Sequence, residues 1–292
     1  MADNDDCDEL DIDPRDLDMG GVIGEGSTAI VYFGNLHGES VAVKEIRAWV
    51  DEVDDRIVKM VQRELVVLNE VNHPNILRFL GLVRDSEPLR IVFEYCAGGS
   101  LFELLHHHHQ IVLTWEQRLE ILMQTARAME YIHGFDPPVI HRDLKSLNLM
   151  LLEPVTTQVP HVKLADFGLA RVQERAMTQG VGTKHWMAPE VLKGTTYTEK
   201  ADIFSFSMVA FEDICRHVPY ERMKPQEVAR LLSAGKRPDF SEHVKVEKVP
   251  DGLLALVYQC WDQDPAKRPA AAKICQALAL VRARRGALLK EM

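Results

Sequence analysis

The stretch His141-Arg142-Asp143-Leu144-Lys145-Ser146-Leu147-Asn148 gathers an acid, two bases and an amide just ahead of the apolar run Leu149-Met150-Leu151-Leu152. After a strand-like Val162-Lys163-Leu164-Ala165 comes Asp166-Phe167-Gly168. Asp and Asn oxygens suit Mg2+, a hard cation that keeps several waters and takes few carboxylates plus a substrate's phosphates. One further Asp can orient a hydroxyl nucleophile and accept its proton. Each short motif arises by chance on its own; their order and spacing do not.

Two upstream groups fit the same chemistry. Gly24-Glu25-Gly26-Ser27-Thr28-Ala29-Ile30-Val31 lies between strand-like runs, and glycines let backbone N–H groups approach phosphate oxygens closely. Alone such a motif is weak evidence and often only a hairpin turn. A dinucleotide-binding turn needs a helix straight after the glycines; a strand-like run follows here, so that reading fails. Val41-Ala42-Val43-Lys44 closes a short strand with a lysine. A lone lysine there is usually a solvated edge charge, but beneath a phosphate-covering loop it can contact a nucleotide's phosphates if a partner fixes it. Glu64, among Val61, Leu65 and Leu68, is that partner, because a buried carboxylate is costly without a cation opposite.

The elements that must hold these groups can be read from periodicity. Val22-Ile23, Val31-Tyr32-Phe33 and Val41-Ala42-Val43 are short strand-like runs between Gly and polar turns. Ile57, Val61, Leu65 and Leu68 recur at helical spacing within Arg56 to Glu70, and His73-Pro74-Asn75 ends that helix. Ile76 to Val83 and Leu89 to Phe93 resume as strands. After Gly98-Gly99-Ser100 the chain turns mainly helical. Thr114-Trp115-Glu116-Gln117 is a capping-box start with Leu119, Leu122, Ala126 and Met129 following and Gly134 as the stop. Ile203 to Ile214 is apolar on nearly every side and reads as a helix sunk in the core. Glu153 to His161 reads as a surface excursion between two strands.

The chain has 292 residues and a formal charge of −10, with 46% hydrophobic and 27% charged residues. That is an ordinary globular composition, long enough for a sizeable core. Nine acidic residues against Arg15 alone fall within 1–18, which reads as a solvated tail. Arg282, Arg284 and Arg285 make only a small basic cluster, so nucleic-acid binding is not expected. No run is long and apolar enough for a membrane span or a signal peptide. Cys7, Cys96, Cys215, Cys260 and Cys275 are scattered without metal or redox spacing, which fits a soluble cytoplasmic protein with most thiols buried. The run His106 to His109 reads as a solvated helix end or loop.

Taken in order, Gly24-x-Gly26, Val-Ala-Val-Lys44, helix Glu64, His141–Asn148, Asp166-Phe167-Gly168 and Ala188-Pro189-Glu190 resemble a eukaryotic protein kinase domain over about residues 18–285. The resemblance implies an α+β, bilobal protein-kinase fold: a small β-rich N-lobe (18–95) with one main helix, and a larger helical C-lobe (96–285). Residues 1–17 would be an acidic disordered tail and 286–292 a C-terminal tail. The stretch His141–Ser146, together with Gly182–Glu190 and Cys260-Trp261 before Asp264-Pro265-x-x-Arg268-Pro269, resembles the tyrosine-kinase-like group, which includes Raf and mixed-lineage kinases and mostly phosphorylates Ser and Thr.

Roles follow from the resemblance. ATP would be covered by Ile23, Gly24, Glu25, Gly26, Ser27, Thr28 and Ala29. Its adenine would lie among Val31, Ala42 and Met150, with its polar edge at the backbone of Glu94 and Cys96. Lys44, held by Glu64, would contact the α- and β-phosphates; Asn148 and Asp166 would hold Mg2+; Lys145 would steady the γ-phosphate and Asp143 would be the base. Glu190 and Arg268 would form a buried ion pair, Asp202 would brace the catalytic loop, and Phe93 would close the pocket behind adenine. Thr183 would be structural, leaving Thr178 as the activation-segment phosphosite for an upstream kinase, with Arg142, Arg171 or Arg175 to receive the phosphate. The implied activity is transfer of the ATP γ-phosphate to Ser/Thr hydroxyls of protein substrates in signalling. The alternatives are an ATP-binding pseudokinase scaffold and a dual-specificity kinase. Two departures stand out: Ala29 replaces a third glycine, and Ser207 stands where many kinases have Gly.

Overall fold

The computed structural model describes residues 11–26, 29–46, 71–83, 88–156, 158–166 and 183–291. The helix expected over Arg56 to Glu70, with Glu64 and Leu68, lies outside them, as do Ser27, Thr28, Phe167, Arg171, Arg175 and Thr178. The described residues divide into two compact units, one holding those up to Asn72 together with Leu77–Cys96, the other His73–Ile76 with those from Ala97 onward.

The first unit is built on β1 (Leu17–Glu25), β2 (Ala29–Leu36), β3 (Glu39–Ile46), β4 (Phe79–Val83) and β5 (Arg90–Glu94). They form an antiparallel sheet in the order β1-β2-β3-β5-β4. His37 and Gly38, both at positive φ (52° and 90°), turn β2 into β3, the two-residue hairpin whose twist matches the strands. Asn35 Oδ1 accepts the Gly38 N–H at 2.9 Å and helps fix the register. Val41 and Val43 pack with Leu17, Val83 and Val92 in a core that Ile12, Tyr32, Leu36 and Leu80 flank.

Residues 11–17 depart from the solvated tail expected of them. The Ile12 N–H donates to the Leu82 carbonyl at 2.7 Å, pairing Asp11 beside the edge strand β4. Asp13 caps the 3-10 turn Pro14–Asp16, and Leu17 enters the core as the first residue of β1. Two apolar side chains, Ile12 and Leu17, outweigh the charge around them, because the acids between are left at the surface.

The second unit holds α1 (Leu101–His106), α2 (Trp115–His133), the hairpin β6 (Leu149–Leu151) and β7 (Val162–Leu164), α3 (Pro189–Leu192), α4 (Lys200–Cys215), α5 (Pro225–Ser233), α6 (Leu253–Cys260) and α7 (Ala271–Glu291). The capping box of α2 forms as expected: Thr114 Oγ1 accepts the Gln117 N–H at 3.2 Å, and Gln117 Oε1 accepts the Thr114 N–H at 2.9 Å. Every residue of α4 from Ala201 to Cys215 is buried, so the other helices are laid around it. Ser207, at the position where glycine was expected, is buried and donates its hydroxyl to the Phe204 carbonyl. The excursion after β6 is tied down: Gln117 Nε2 donates to the carbonyls of Thr156 and Gln158, and Gln124 Nε2 to that of Pro160. Arg282 on α7 pairs with Glu116 and Glu120 of α2. Among the described residues no helix is long and apolar enough to cross a membrane.

Candidate active site

In the first unit, strand pairing gathers one set of the expected residues on one face of the sheet. Residues directly opposite in an antiparallel pair share a face. Gly24 faces Val31, Val31 faces Lys44, Phe33 faces Ala42, and Lys44 and Ala42 face Ile91 and Phe93. Because Val41 and Val43 point into the core, alternation sends Ala42 and Lys44 to the opposite side. Lys44 is 7% exposed, so it is no solvated edge charge. At the β1–β2 turn the Gly26 N–H donates to the Ala29 carbonyl at 2.8 Å. A Cβ added at Gly24 or Gly26 would meet nothing nearer than 3.6 Å. Packing within the described chain therefore does not demand glycine there, and the space is left for something approaching the backbone. Ile23 is half exposed on β1. Glu94 ends β5 with its carboxylate accepting the Arg78 N–H at 2.6 Å, and Cys96 is buried.

In the second unit the loop 141–148 is held from beneath. Asp202, near the start of α4, accepts the His141 N–H at 2.8 Å and the Arg142 N–H at 2.9 Å, as expected, and the His133 ring at 2.8 Å. Burial alone would raise its pKa, but His133 and His141 outweigh it and hold the carboxyl below its ordinary range. His141 is fully buried, and its Nδ1 takes the Asp143 N–H at 3.3 Å. Its Nε2 therefore carries the proton and donates to the Ala165 carbonyl at 2.8 Å, beside Asp166. The Ala165 N–H returns to the Asn148 carbonyl at 2.8 Å. Arg142 and Asp166 adopt positive φ, 70° and 60°, sparsely populated for such residues and held here by those bonds.

Asp143 lies at the centre of this frame. Its Oδ2 is 2.6 Å from Lys145 Nζ and accepts Asn148 Nδ2 at 3.2 Å. Its Oδ1 is buried with no hydrogen-bond partner among the described residues. An unmet carboxylate oxygen in a loop this braced is an acceptor awaiting a donor. Asn148 Nδ2 is committed to the Asp143 carbonyl at 2.8 Å, which leaves its Oδ1 for an electropositive ligand. Among the described residues no cluster of three or more His, Cys, Asp or Glu could hold a metal. Asn148 and Asp166 offer one amide and one carboxylate group, a donor set that fits a cation that takes few protein oxygens and draws others from phosphates and water. Met150 stands on β6 opposite Lys163. The hairpin is reached through Gly98, whose missing side chain matters: a Cβ there would come within 2.3 Å of the Glu153 carbonyl oxygen.

The predicted ion pair is present: Arg268 holds both oxygens of Glu190, at 2.6 and 2.9 Å, while its Nε donates to the Asp262 carbonyl and its plane lies over Phe204. The His106–His109 expectation is corrected in part. His107 to His109 are exposed, but the His106 side chain is 11% exposed and bonds Glu212 at 3.0 Å, because it ends the buried face of α1 over an acid that needs donors. Glu212 and its neighbour Asp213, both fully buried, were missed as site-supporting residues. The signal was available: two adjacent acids inside an otherwise apolar helix must find partners.

Sheet order, strand register and a helix-braced Asp-Lys-Asn loop together define the bilobal α+β protein-kinase architecture. A sequence profile of the protein kinase domain matches residues 17–278, and the chain belongs to that family. Its relatives include the probable serine/threonine-protein kinase drkC of Dictyostelium discoideum, 35% identical over 91% of this chain and 35% of its own length. The serine/threonine-protein kinases CTR1 and VIK of Arabidopsis thaliana are 35% and 36% identical, over 94% and 90% of this chain and 32% and 60% of their own lengths. The resemblance to the tyrosine-kinase-like group is thereby supported. The chain spans about a third of the length of the first curated relatives it matches.

Proposed function

We propose that this chain is an ATP-dependent protein kinase that transfers the γ-phosphate to Ser and Thr hydroxyls of protein substrates. The observation that carries the reading is Asp143: one carboxylate oxygen held by Lys145 and Asn148, the other buried and without a hydrogen-bond partner among the described residues. In this role Oδ1 accepts and orients the substrate hydroxyl and takes its proton as the phosphorus–oxygen bond forms. Lys145 then supports the transferring phosphoryl group. Lys44, Gly24, Gly26 and Ala29 receive the phosphates, with Ile23, Glu25, Ser27 and Thr28 completing the cover and Glu64 fixing Lys44. Val31, Ala42 and Met150 enclose the adenine, and the backbone of Glu94 and Cys96 reads its edge. Asn148 and Asp166 would hold Mg2+, which supplies charge neutralisation on the phosphates when bound. Little covalent help is needed from the protein, so positioning carries most of the rate.

Thr178 is, in the same reading, the phosphosite on which an upstream kinase acts. The scattered thiols support a cytoplasmic setting: burial pushes the Cys215 and Cys275 thiols up to about 12, which keeps them unreactive. The test is transfer from γ-labelled ATP to a generic protein substrate, with phosphoamino-acid analysis. Wild type is expected to label Ser and Thr, and Asp143→Asn to lose about a thousandfold in rate. No transfer from either form would support the scaffold reading, and phosphotyrosine the dual-specificity one.

A further inference from the structure

Glu212 lies ten residues after Asp202 on α4, a rise of about 15 Å along a straight helix. The two acids grip the catalytic loop at its two ends. Asp202 takes the amides of His141 and Arg142, while Glu212 Oε1 accepts the Ser146 hydroxyl at 2.8 Å. Ser146 directly follows Lys145, the partner of Asp143. The same Glu212 reaches the segment before α3: its Oε2 accepts the Trp186 indole N–H at 2.6 Å. The Trp186 carbonyl in turn accepts Ser205 Oγ at 2.9 Å, so α4 holds this residue by both backbone and ring. The third donor is the His106 Nε2, from the last residue of α1, with the Phe102 ring tilted against the imidazole at a centroid distance of 4.5 Å.

An indole N–H can only donate, so Glu212 is an acceptor there and the serine and histidine complete its shell. It is fully buried, and burial pushes its carboxyl above the ordinary range against the pull of the three donors. A carboxylate this deep is sensitive to the loss of any one donor. His106 is the donor contributed by α1, an element outside both the catalytic loop and the segment before α3.

We propose that Glu212 and His106 are positioning residues: the His106 ring fixes the Glu212 carboxylate, and through it the placement of Ser146 and Trp186. This rests on the kinase reading above for its effect on rate. The surface at the end of α1 is thereby linked to the loop bearing Asp143 and to the segment leading into Ala188-Pro189-Glu190.

The experiment follows the Trp186 indole resonance by 1H–15N spectroscopy on the full chain, assigned by its loss in Trp186→Phe, beside steady-state kinetics. His106→Leu is expected to shift that resonance and lower kcat about tenfold, with KM for ATP held within about twofold. His106→Gln, which keeps an N–H donor, is expected to return the resonance towards wild type and recover roughly half of kcat. Should His106→Leu fail to fold, Glu212→Gln serves, with the same resonance shifted and kcat lowered at least as far. An indole that does not move in either variant, or a His106→Gln enzyme as impaired as His106→Leu, would overturn the proposal. An indole that moves as expected in the variants, with a wild type that transfers no phosphate, would keep the linkage and overturn the kinase reading.

Discussion

Asp143 and Asp213 are both acids short of hydrogen bonds, and their surroundings give them opposite meanings. Asp143 has Lys145 and Asn148 on one oxygen and leaves the other without a partner among the described residues, at 12% side-chain exposure. Asp213, on α4, has neither oxygen hydrogen-bonded among the described residues, and the Arg118 guanidinium stands 3.9 Å away. Burial pushes the Asp213 carboxyl up to about 6. A raised carboxyl binds its proton more tightly in the folded chain than in the unfolded one, where it titrates near pH 4. Its stabilising contribution is therefore full below about pH 4 and lost as pH rises through about 6. Asp213→Asn does not titrate. Its stability relative to wild type is expected to improve by up to about 3 kcal/mol between roughly pH 4 and 7.5, read from denaturant midpoints; a flat difference would show that Asp213 is already ionised throughout. The sequence displayed Asp143 openly, because chemistry fixes residue type and spacing. Glu212 and Asp213 were hidden by the apolar residues around them, since their meaning depends on donors from distant parts of the chain.

The elements that could be read from sequence are those whose signals are local. The capping box at Thr114 is one: its donors and acceptors lie within four residues, and α2 starts where they require. Thr114→Ala is expected to cost about 1 kcal/mol in chemical denaturation. The strands around Lys44 were also legible from short β-branched runs between turns. Residues 11–17 were not, because the acid-rich composition suggested solvent while the deciding interaction, Ile12 on Leu82, is non-local. The helical unit depends equally on long-range pairing. Glu190→Ala leaves the Arg268 guanidinium, 2% exposed, without its carboxylate. A loss of about 3–5 kcal/mol is expected, seen as an earlier unfolding transition; a change below about 1 kcal/mol would mean that the carbonyls of Asp262 and Lys200, which accept from the guanidinium at 2.9 Å each, suffice for that charge.

At the scale of the molecule, one unit supplies a sheet face carrying Gly24, Val31, Ala42 and Lys44, and the other a loop carrying Asp143, Lys145 and Asn148 with Asp166 beside it. Their fold class was legible because six motifs occur in family order; the residues that brace them from α4 were legible only where a motif named them. The proposed function assigns the phosphates of ATP to Lys44 and to Lys145 alike. An acyl phosphate of ATP delivers its acyl group to amines within reach of the phosphates, and mass spectrometry locates the acylated lysines. With Mg2+ present, Lys44 and Lys145 are expected to be acylated together, and excess ATP to protect both. Acylation confined to other lysines, or unaffected by ATP, would contradict the claim.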